Sequence, residues 1–318
     1  MPFEACDNCG QNFMVPISEC TECGWTPDAD EAAAATVAEL GFEPDRLGDW
    51  SDIKHDILAH YAPAYTRILK AQRFKPRTVC VDAFAGGGIA IDKQTGERLK
   101  GSATLMVEAT PPFDELHFIE QDPAKVANLV AMFGHDRRVV VHQGDTNEIL
   151  VSKVLPRCRY TDYARALIIL DPYGFSLDWS VIEALGKEKG VEIFFNFMIV
   201  DVNRNVLWKD PTKVRASQRA KMLRAWGGDW TKDLYKEIPA TPSLFDEAET
   251  EPTLKKVTNM RVAEVMREKL QKAGFTFVPP PIPMRNSRRA TIYYLYFASH
   301  NETGASIVEQ VFAKFRSY

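Results

Sequence analysis

The sequence predicts an α/β protein: a Rossmann-like, largely parallel sheet with helices on both faces, preceded by a small metal-binding ribbon. Three observations predict it. Short apolar, β-branched runs occur within residues 77–82, 115–120, 138–143 and 165–170, with the near-continuous hydrophobicity of strands buried on both faces. Stretches of helical periodicity separate them, the alternation expected of βαβ crossovers. Each run is closed by an acid, Asp82, Glu120, Asp145 or Asp171, which sets four carboxylates along the edge where doubly wound sheets take their ligands.

A chain of 318 residues, 45% apolar and with a formal charge of -4, fits one large α/β domain with additions and shows no global basic excess. No run approaches the roughly 20 apolar residues of a membrane span. The opening Met-Pro-Phe-Glu-Ala-Cys lacks the basic and apolar regions of a signal peptide, so a cytoplasmic protein with no membrane contact is expected.

The first unit, residues 1–27, carries Cys6-x-x-Cys9-Gly and Cys20-x-x-Cys23-Gly. Two such pairs supply four thiolates for tetrahedral Zn(II), and the following glycines allow the tight turn of each knuckle. Rubredoxin-like iron is held by the same ligands, and a pair of disulfides is the other alternative. So short a segment buries little core, which leaves the metal to hold a zinc ribbon together. Cys80 and Cys158 have no partners at ligand spacing and read as core thiols.

Residues 28–50, acidic and alanine-rich, read as a linker with a short helix. The domain proper spans 51–318. Its first helix, 51–72, opens with the cap-like Ser51 and Asp52 and sets Ile53, Ile57, Leu58, Tyr61, Tyr65, Ile68 and Leu69 at helical spacing.

The first strand leads into Asp82-Ala-Phe84-Ala-Gly86-Gly87-Gly88. Three glycines permit a tight turn and leave no Cβ between backbone and ligand. The spacing is Asp-x-Phe-x-Gly-x-Gly, which departs from the Gly-x-Gly-x-x-Gly of dinucleotide sites. Taken alone, the turn equally suits a phosphate loop or a plain connection. A polar stretch, 89–101, then exceeds the usual strand–helix connection and reads either as a cover for the ligand edge or as decoration; the next helix is expected at 103–109, with Ser102 as its N-cap. The second strand ends at Glu120, whose carboxylate can accept both hydroxyls of a ribose, and Gln121 follows. The third ends in Gly144-Asp145-Thr146, and the fourth in Asp171-Pro172-Tyr173-Gly174.

Residues 191–197 form a fifth strand, Val-Glu-Ile-Phe-Phe-Asn-Phe. Residues 203–255 read as an insertion. From 203 to 236 it holds nine basic residues against three acids, interleaved with Trp208, Trp226, Trp230 and Tyr235, a composition suited to phosphate attraction and base stacking. The competing expectation is a solvated helical hairpin with the tryptophans in its own core. Residues 239–253 are acidic and Pro-rich, hence a loop. A helix over 258–273 closes at Gly274, strands are expected from 275 and over 291–298, and an amphipathic helix ends the chain.

With its sequels, the glycine turn resembles motif I of S-adenosylmethionine-dependent methyltransferases. The resemblance implies a class I methyltransferase sheet and a cofactor set of Asp82, Phe84, Gly86, Gly88, Glu120, Gln121, Asp145, Thr146 and Asp171. Glu120 would hold the sugar, Asp145 would face the adenine amino group, and the glycines would lie beneath the methionine tail. Asp171-Pro172-Tyr173-Gly174 is similar to motif IV of tRNA guanine-N2 dimethyltransferases, which implies a catalytic Asp171, Pro172 and Tyr173. The second proline of the Asp-Pro-Pro-Tyr form is missing, so Phe175 is the next candidate for stacking.

Taken with Phe118-Ile-Glu-Gln-Asp-Pro123 and Phe195-Asn-Phe197, these motifs resemble the three-Cys-motif partner family of bacteria and phages, from about residue 50 to the C-terminus. That resemblance implies a radical-S-adenosylmethionine-like protein as partner. The function expected is methyl transfer to an amino group of a nucleic-acid base. The alternative is a catalytically silent methyltransferase-fold binding module, or partner of a radical enzyme.

Overall fold

A computed structural model describes residues 4–5, 12–13, 27–238, 253–286 and 288–315. Cys6, Cys9, Cys20 and Cys23, and the acidic loop at 239–252, lie outside the described residues. The short strands β1 (Glu4–Ala5) and β2 (Asn12–Phe13) pair antiparallel. Among the described residues no group of three or more His, Cys, Asp or Glu is placed to hold a metal ion, and Cys80 and Cys158 are buried free thiols. No helix among them is long and apolar enough to cross a membrane.

The stretch expected as a linker contains helix α1 (Pro27–Leu40) and strand β3 (Asp45–Leu47). It has its own packing: Ala29, Ala33 and Phe42 are buried. Helix α2 (Asp49–Lys70) begins two residues before Ser51. The first core strand is β4 (Arg77–Asp82). The polar stretch after the glycine turn folds as a hairpin of β5 (Ile89–Asp92) and β6 (Arg98–Lys100), whose turn is held by Asp92 accepting from the amides of Gln94 and Thr95 at 2.7 and 2.8 Å. β3 pairs in parallel with β5, so a three-stranded sheet stands over the ligand edge.

The remaining elements follow in βα order: α3 (Ser102–Val107), β7 (Glu115–Glu120), α4 (Pro123–Phe133), β8 (Val139–Gln143), α5 (Thr146–Ile149), β9 (Ala164–Leu170), α6 (Trp179–Gly186), β10 (Val191–Phe197) and α7 (Ile199–Asn205). Then come α8 (Ala216–Trp226), α9 (Thr231–Leu234), the antiparallel pair β11 (Tyr235–Ile238) and β12 (Thr253–Lys256), α10 (Asn259–Lys272), β13 (Ile282–Arg285), β14 (Thr291–Ala298) and α11 (Glu302–Phe315). The strand expected from 275 makes only a single bridge, Phe277 to Ser299, because Pro279, Pro280 and Pro281 follow and have no amide hydrogen to donate.

Seven strands form one sheet in the order β13-β14-β10-β9-β4-β7-β8. β10, β9, β4, β7 and β8 are parallel; β14 runs antiparallel to both its neighbours. Because alternate residues point to opposite faces, Val79 and Val81 pack under α6, α8 and α10, while Cys80 packs under α2, α3 and α11. From β4 the chain winds outward through β7 and β8, then returns to β4's other side with β9 and β10. The crevice at that reversal, above β4 and β9, is where a ligand is expected.

Candidate active site

Asp82 ends β4 fully buried. Its carboxylate accepts from Ser102 Oγ at 2.5 Å and from the Phe84 amide at 3.3 Å, tying the turn after β4 to the first turn of α3. This is why Gly101 rather than Ser102 is the N-cap residue of α3. Burial pushes the carboxyl up to about 6, against the Ser102 hydrogen bond and the charge of Lys54. Gly86 and Gly88 take positive φ, +58° and +78°. A Cβ on Gly86 would lie 2.6 Å from Asp45 Oδ2, and one on Gly87 would collide with the Phe42 ring. The turn is glycine because the α1–β3 segment approaches it closely.

Two cavities open at the carboxyl edge. The first, about 610 Å³, is lined by Phe84, Glu120, Gln121, Asp145, Thr146 and Tyr173 among others. Glu120 Oε1 accepts from the amides of Gln121 and Asp122 at 2.7 and 2.9 Å, which fixes the carboxylate at the strand end. Asp145 caps α5, its Oδ1 accepting from the Asn147 amide at 2.8 Å. Thr146 is buried and donates its hydroxyl to the Ala83 carbonyl at 2.6 Å, so that hydroxyl braces the glycine turn.

The second cavity, about 250 Å³, is lined by Lys54, His55, Gly88, Asp171, Asn196 and Tyr293 among others, and shares Phe84, Tyr173, Gly174 and Asp201 with the first. Asp171 is its focus, with 33% of its side chain open. Lys54 Nζ donates to one carboxylate oxygen at 2.5 Å and Asn196 Nδ2 to the other at 2.5 Å. Burial pushes Asp171 up, but the charge and hydrogen bond of Lys54 and the bond from Asn196 outweigh it and hold the carboxyl below its ordinary value. His55 is lowered to about 4, by burial first and by Lys54 second, so it is neutral at physiological pH. Pro172 lines the same cavity. Tyr173 is exposed and donates its hydroxyl to Asp45 Oδ1 at 2.6 Å, and Lys125 Nζ reaches the same oxygen at 2.8 Å.

Of the residues singled out in the sequence, Phe84, Glu120, Gln121, Asp145, Thr146 and Tyr173 therefore line the first cavity, and Phe84, Gly88, Asp171, Pro172 and Tyr173 the second. Asp82 and Gly86 line neither; they shape the turn from behind. Sequence reasoning missed Lys54, His55, Asn196 and Asp45. Lys54 did carry a signal, since it precedes Leu58 and Tyr61 by four and seven residues on the buried stripe of α2, where a lysine needs a partner.

The basic insertion forms α8 and α9 against the sheet. Trp226 and Trp230 are fully buried and Tyr235 is buried with its hydroxyl on the Trp208 carbonyl at 2.6 Å; these aromatics join the sheet's own hydrophobic core, Trp226 lying against Phe197 of β10, rather than a separate core of the insertion. Lys221 and Arg224 instead border the first cavity, Arg224 also pairing with Asp178 at 3.2 Å.

No protein-family model matches the sequence, and no curated protein does. Among solved structures, protein LPL1258 from Legionella pneumophila aligns with a TM-score of 0.48 at 12% identity, over 84% of this chain and 91% of that one. The N-terminal domain of EvdMO1 with SAH bound aligns at 0.39 and 9% identity, over 77% and 81%. TYW2 from M. jannaschii in complex with AdoMet aligns at 0.35 and 9%, over 79% and 75%. The strand order and directions described above are those of the sheet the sequence predicts, a Rossmann-like class I methyltransferase sheet with helices on both faces.

Proposed function

We propose that the protein is an S-adenosylmethionine-dependent methyltransferase acting on an amino group of a nucleic-acid base. The observation that carries this is the position of Asp171: a carboxylate held ionised by Lys54 and Asn196, partly open, in the smaller of two cavities that share a wall. The residues present fit the cofactor. Glu120 and Asp145 offer carboxylates in the larger cavity for the ribose and adenine, and Gly87 and Gly88 bring backbone to the wall of the smaller one. When bound, the cofactor supplies a methyl group already activated on a sulfonium.

The chain's task is then to orient a nitrogen. A carboxylate has about four lone-pair positions, so two remain on Asp171 after Lys54 and Asn196 have taken theirs. An amino N–H donated to one of them fixes the target nitrogen and directs its lone pair into the cavity. Ionised Asp171 also offsets Lys54, which would otherwise repel a cationic ligand. Tyr173, which borders both cavities, provides flat surface for the base beside Asp171, while Lys221 and Arg224 on the larger cavity suit a phosphate backbone.

Incubation with methyl-labelled cofactor and mixed DNA and tRNA tests the reading. Label is expected in nucleic acid with wild type and lost with Asp171→Asn, while affinity for S-adenosylhomocysteine, which lacks the sulfonium charge, is retained; equal labelling by the variant would refute it. A second reading, a binding module that transfers nothing, draws support from Asp45 and Phe42 standing directly over Gly86 and Gly87. In that case cofactor binds but no substrate is labelled, including when a radical-S-adenosylmethionine-like partner is supplied. Cys6, Cys9, Cys20 and Cys23 are proposed to hold structural Zn(II).

A further inference from the structure

An acid from outside the core sheet stands over the glycine turn. Asp45, on β3, lines the smaller cavity together with Gly87 and Gly88. Its two carboxylate oxygens are used differently. Oδ1 accepts from the Tyr173 hydroxyl at 2.6 Å and from Lys125 Nζ at 2.8 Å, which fixes the carboxylate from two sides. Oδ2 rests against the turn, 2.6 Å from where a Cβ on Gly86 would lie. It accepts no hydrogen bond among the described residues and is not sealed from solvent. In the same cavity wall, the Gly87 amide donates no hydrogen bond among the described residues.

The cations nearby leave that oxygen open. Lys54 is committed to Asp171, and Lys125 to Oδ1 of Asp45 itself. Arg46 is the next residue on β3, so its side chain points to the other face, where it pairs with Asp30 and Glu43. The wall beside the turn therefore offers an ionised acceptor and a free backbone donor. A phosphate, the common guest of a glycine turn, would be repelled by the carboxylate. A group carrying both a cation and an anion is suited to such a wall, the cation on the acid and the anion on the amide.

We propose that Asp45 binds the α-ammonium group of the cofactor's methionine end, through Oδ2, so that the segment before the domain completes the cofactor site. Tyr173 and Lys125 hold Oδ1 and so present the other oxygen to the cavity. The two ammonium groups, that of Lys125 and that of the ligand, are kept on separate oxygens. This inference rests on the methyltransferase reading and adds to it a residue that recognises the amino-acid end of the ligand.

Calorimetric titration of the full chain with S-adenosylhomocysteine and with 5′-methylthioadenosine tests it. The second ligand keeps the adenosine and the sulfur but lacks the amino-acid end. Wild type should bind S-adenosylhomocysteine more tightly. Asp45→Asn, which keeps the size of the side chain, should weaken S-adenosylhomocysteine about tenfold, the loss of a charged hydrogen-bond partner, and leave 5′-methylthioadenosine within about twofold. The inference alone is overturned if wild type binds the two ligands equally, if the variant binds both like wild type, or if it weakens both to the same extent, which would make Asp45 a brace for the whole pocket. Tighter binding of S-adenosylhomocysteine by the variant also overturns it, since Asp45 would then be shutting the ligand out. Absence of binding of either ligand to wild type at millimolar concentration would instead defeat the methyltransferase reading, and this inference with it.

Discussion

Lys54 Nζ lies 2.5 Å from Asp171 Oδ2, an ion pair joining the helix before the first core strand to the end of the fourth parallel strand reached along the chain. Lys54 is 10% exposed, so each charge depends on the other. Breaking a buried pair strands its partner at a cost of about 3–5 kcal/mol. Lys54→Met should therefore cost about 3 kcal/mol in urea denaturation, the low end, because Asp171 is partly open. Adding Asp171→Asn to that variant should recover part of the loss, a coupling of about 1 kcal/mol or more.

Tyr173 fastens the α1–β3 segment to the site through Asp45. Tyr173→Phe keeps the ring and removes one hydrogen bond worth about 1 kcal/mol. Amide hydrogen exchange in residues 27–47 should then accelerate about fivefold, with the exchange of β4 and β9 unchanged. Equal exchange in both proteins would show that this bond does not hold the segment.

Two opposed pairs of buried groups shape the pH dependence of stability. Glu192 and Asp82 are pushed up by burial, to about 7 and about 6. The folded protein binds those protons more tightly than the unfolded chain, so their contribution is full below the ordinary carboxylate range and lost as pH rises through 6 and 7. His55 and His142, lowered to about 4 chiefly by burial, act oppositely: the unfolded chain gains their protons below the ordinary imidazole value. Between about pH 8 and about pH 5 the two pairs largely cancel, so the variant is the test: Glu192→Gln should raise the melting temperature relative to wild type progressively as pH rises through 7.

The insertion separates into a core and a charged rim. Trp226→Ala should cost about 3–5 kcal/mol, as for a fully buried large side chain. Lys221→Ala should leave stability within about 0.5 kcal/mol while lowering affinity for tRNA or DNA and shallowing its salt dependence by about one ion. Unchanged affinity would place nucleic acid elsewhere.

One Zn(II) per chain is expected by elemental analysis, falling in parallel with stability when Cys20→Ser is introduced or a chelator is added. Iron in its place would indicate the rubredoxin-like alternative.

The sheet was legible because its strands are apolar on both faces and end in acids; the crevice was legible because Glu120, Asp145 and Asp171 follow those strands directly. Residues that reach the site from elsewhere were not. Lys54 sits on a helix read for its apolar stripe, and Asp45 on a segment whose alanines and acids resemble a linker. Only the fold brings Asp45 to Tyr173, across 128 positions of sequence. The tryptophans of the insertion show the converse: interleaving with basic residues suits base stacking, yet an amphipathic helix that must bury one face packs Trp226 into the core of the sheet.

Calorimetric titration with S-adenosylhomocysteine tests the central claim most directly. The account predicts one site per chain, weakened about tenfold or more by Glu120→Ala through lost bonds to the ribose. No heat of binding at millimolar ligand, or affinity unaltered by Glu120→Ala, would contradict it.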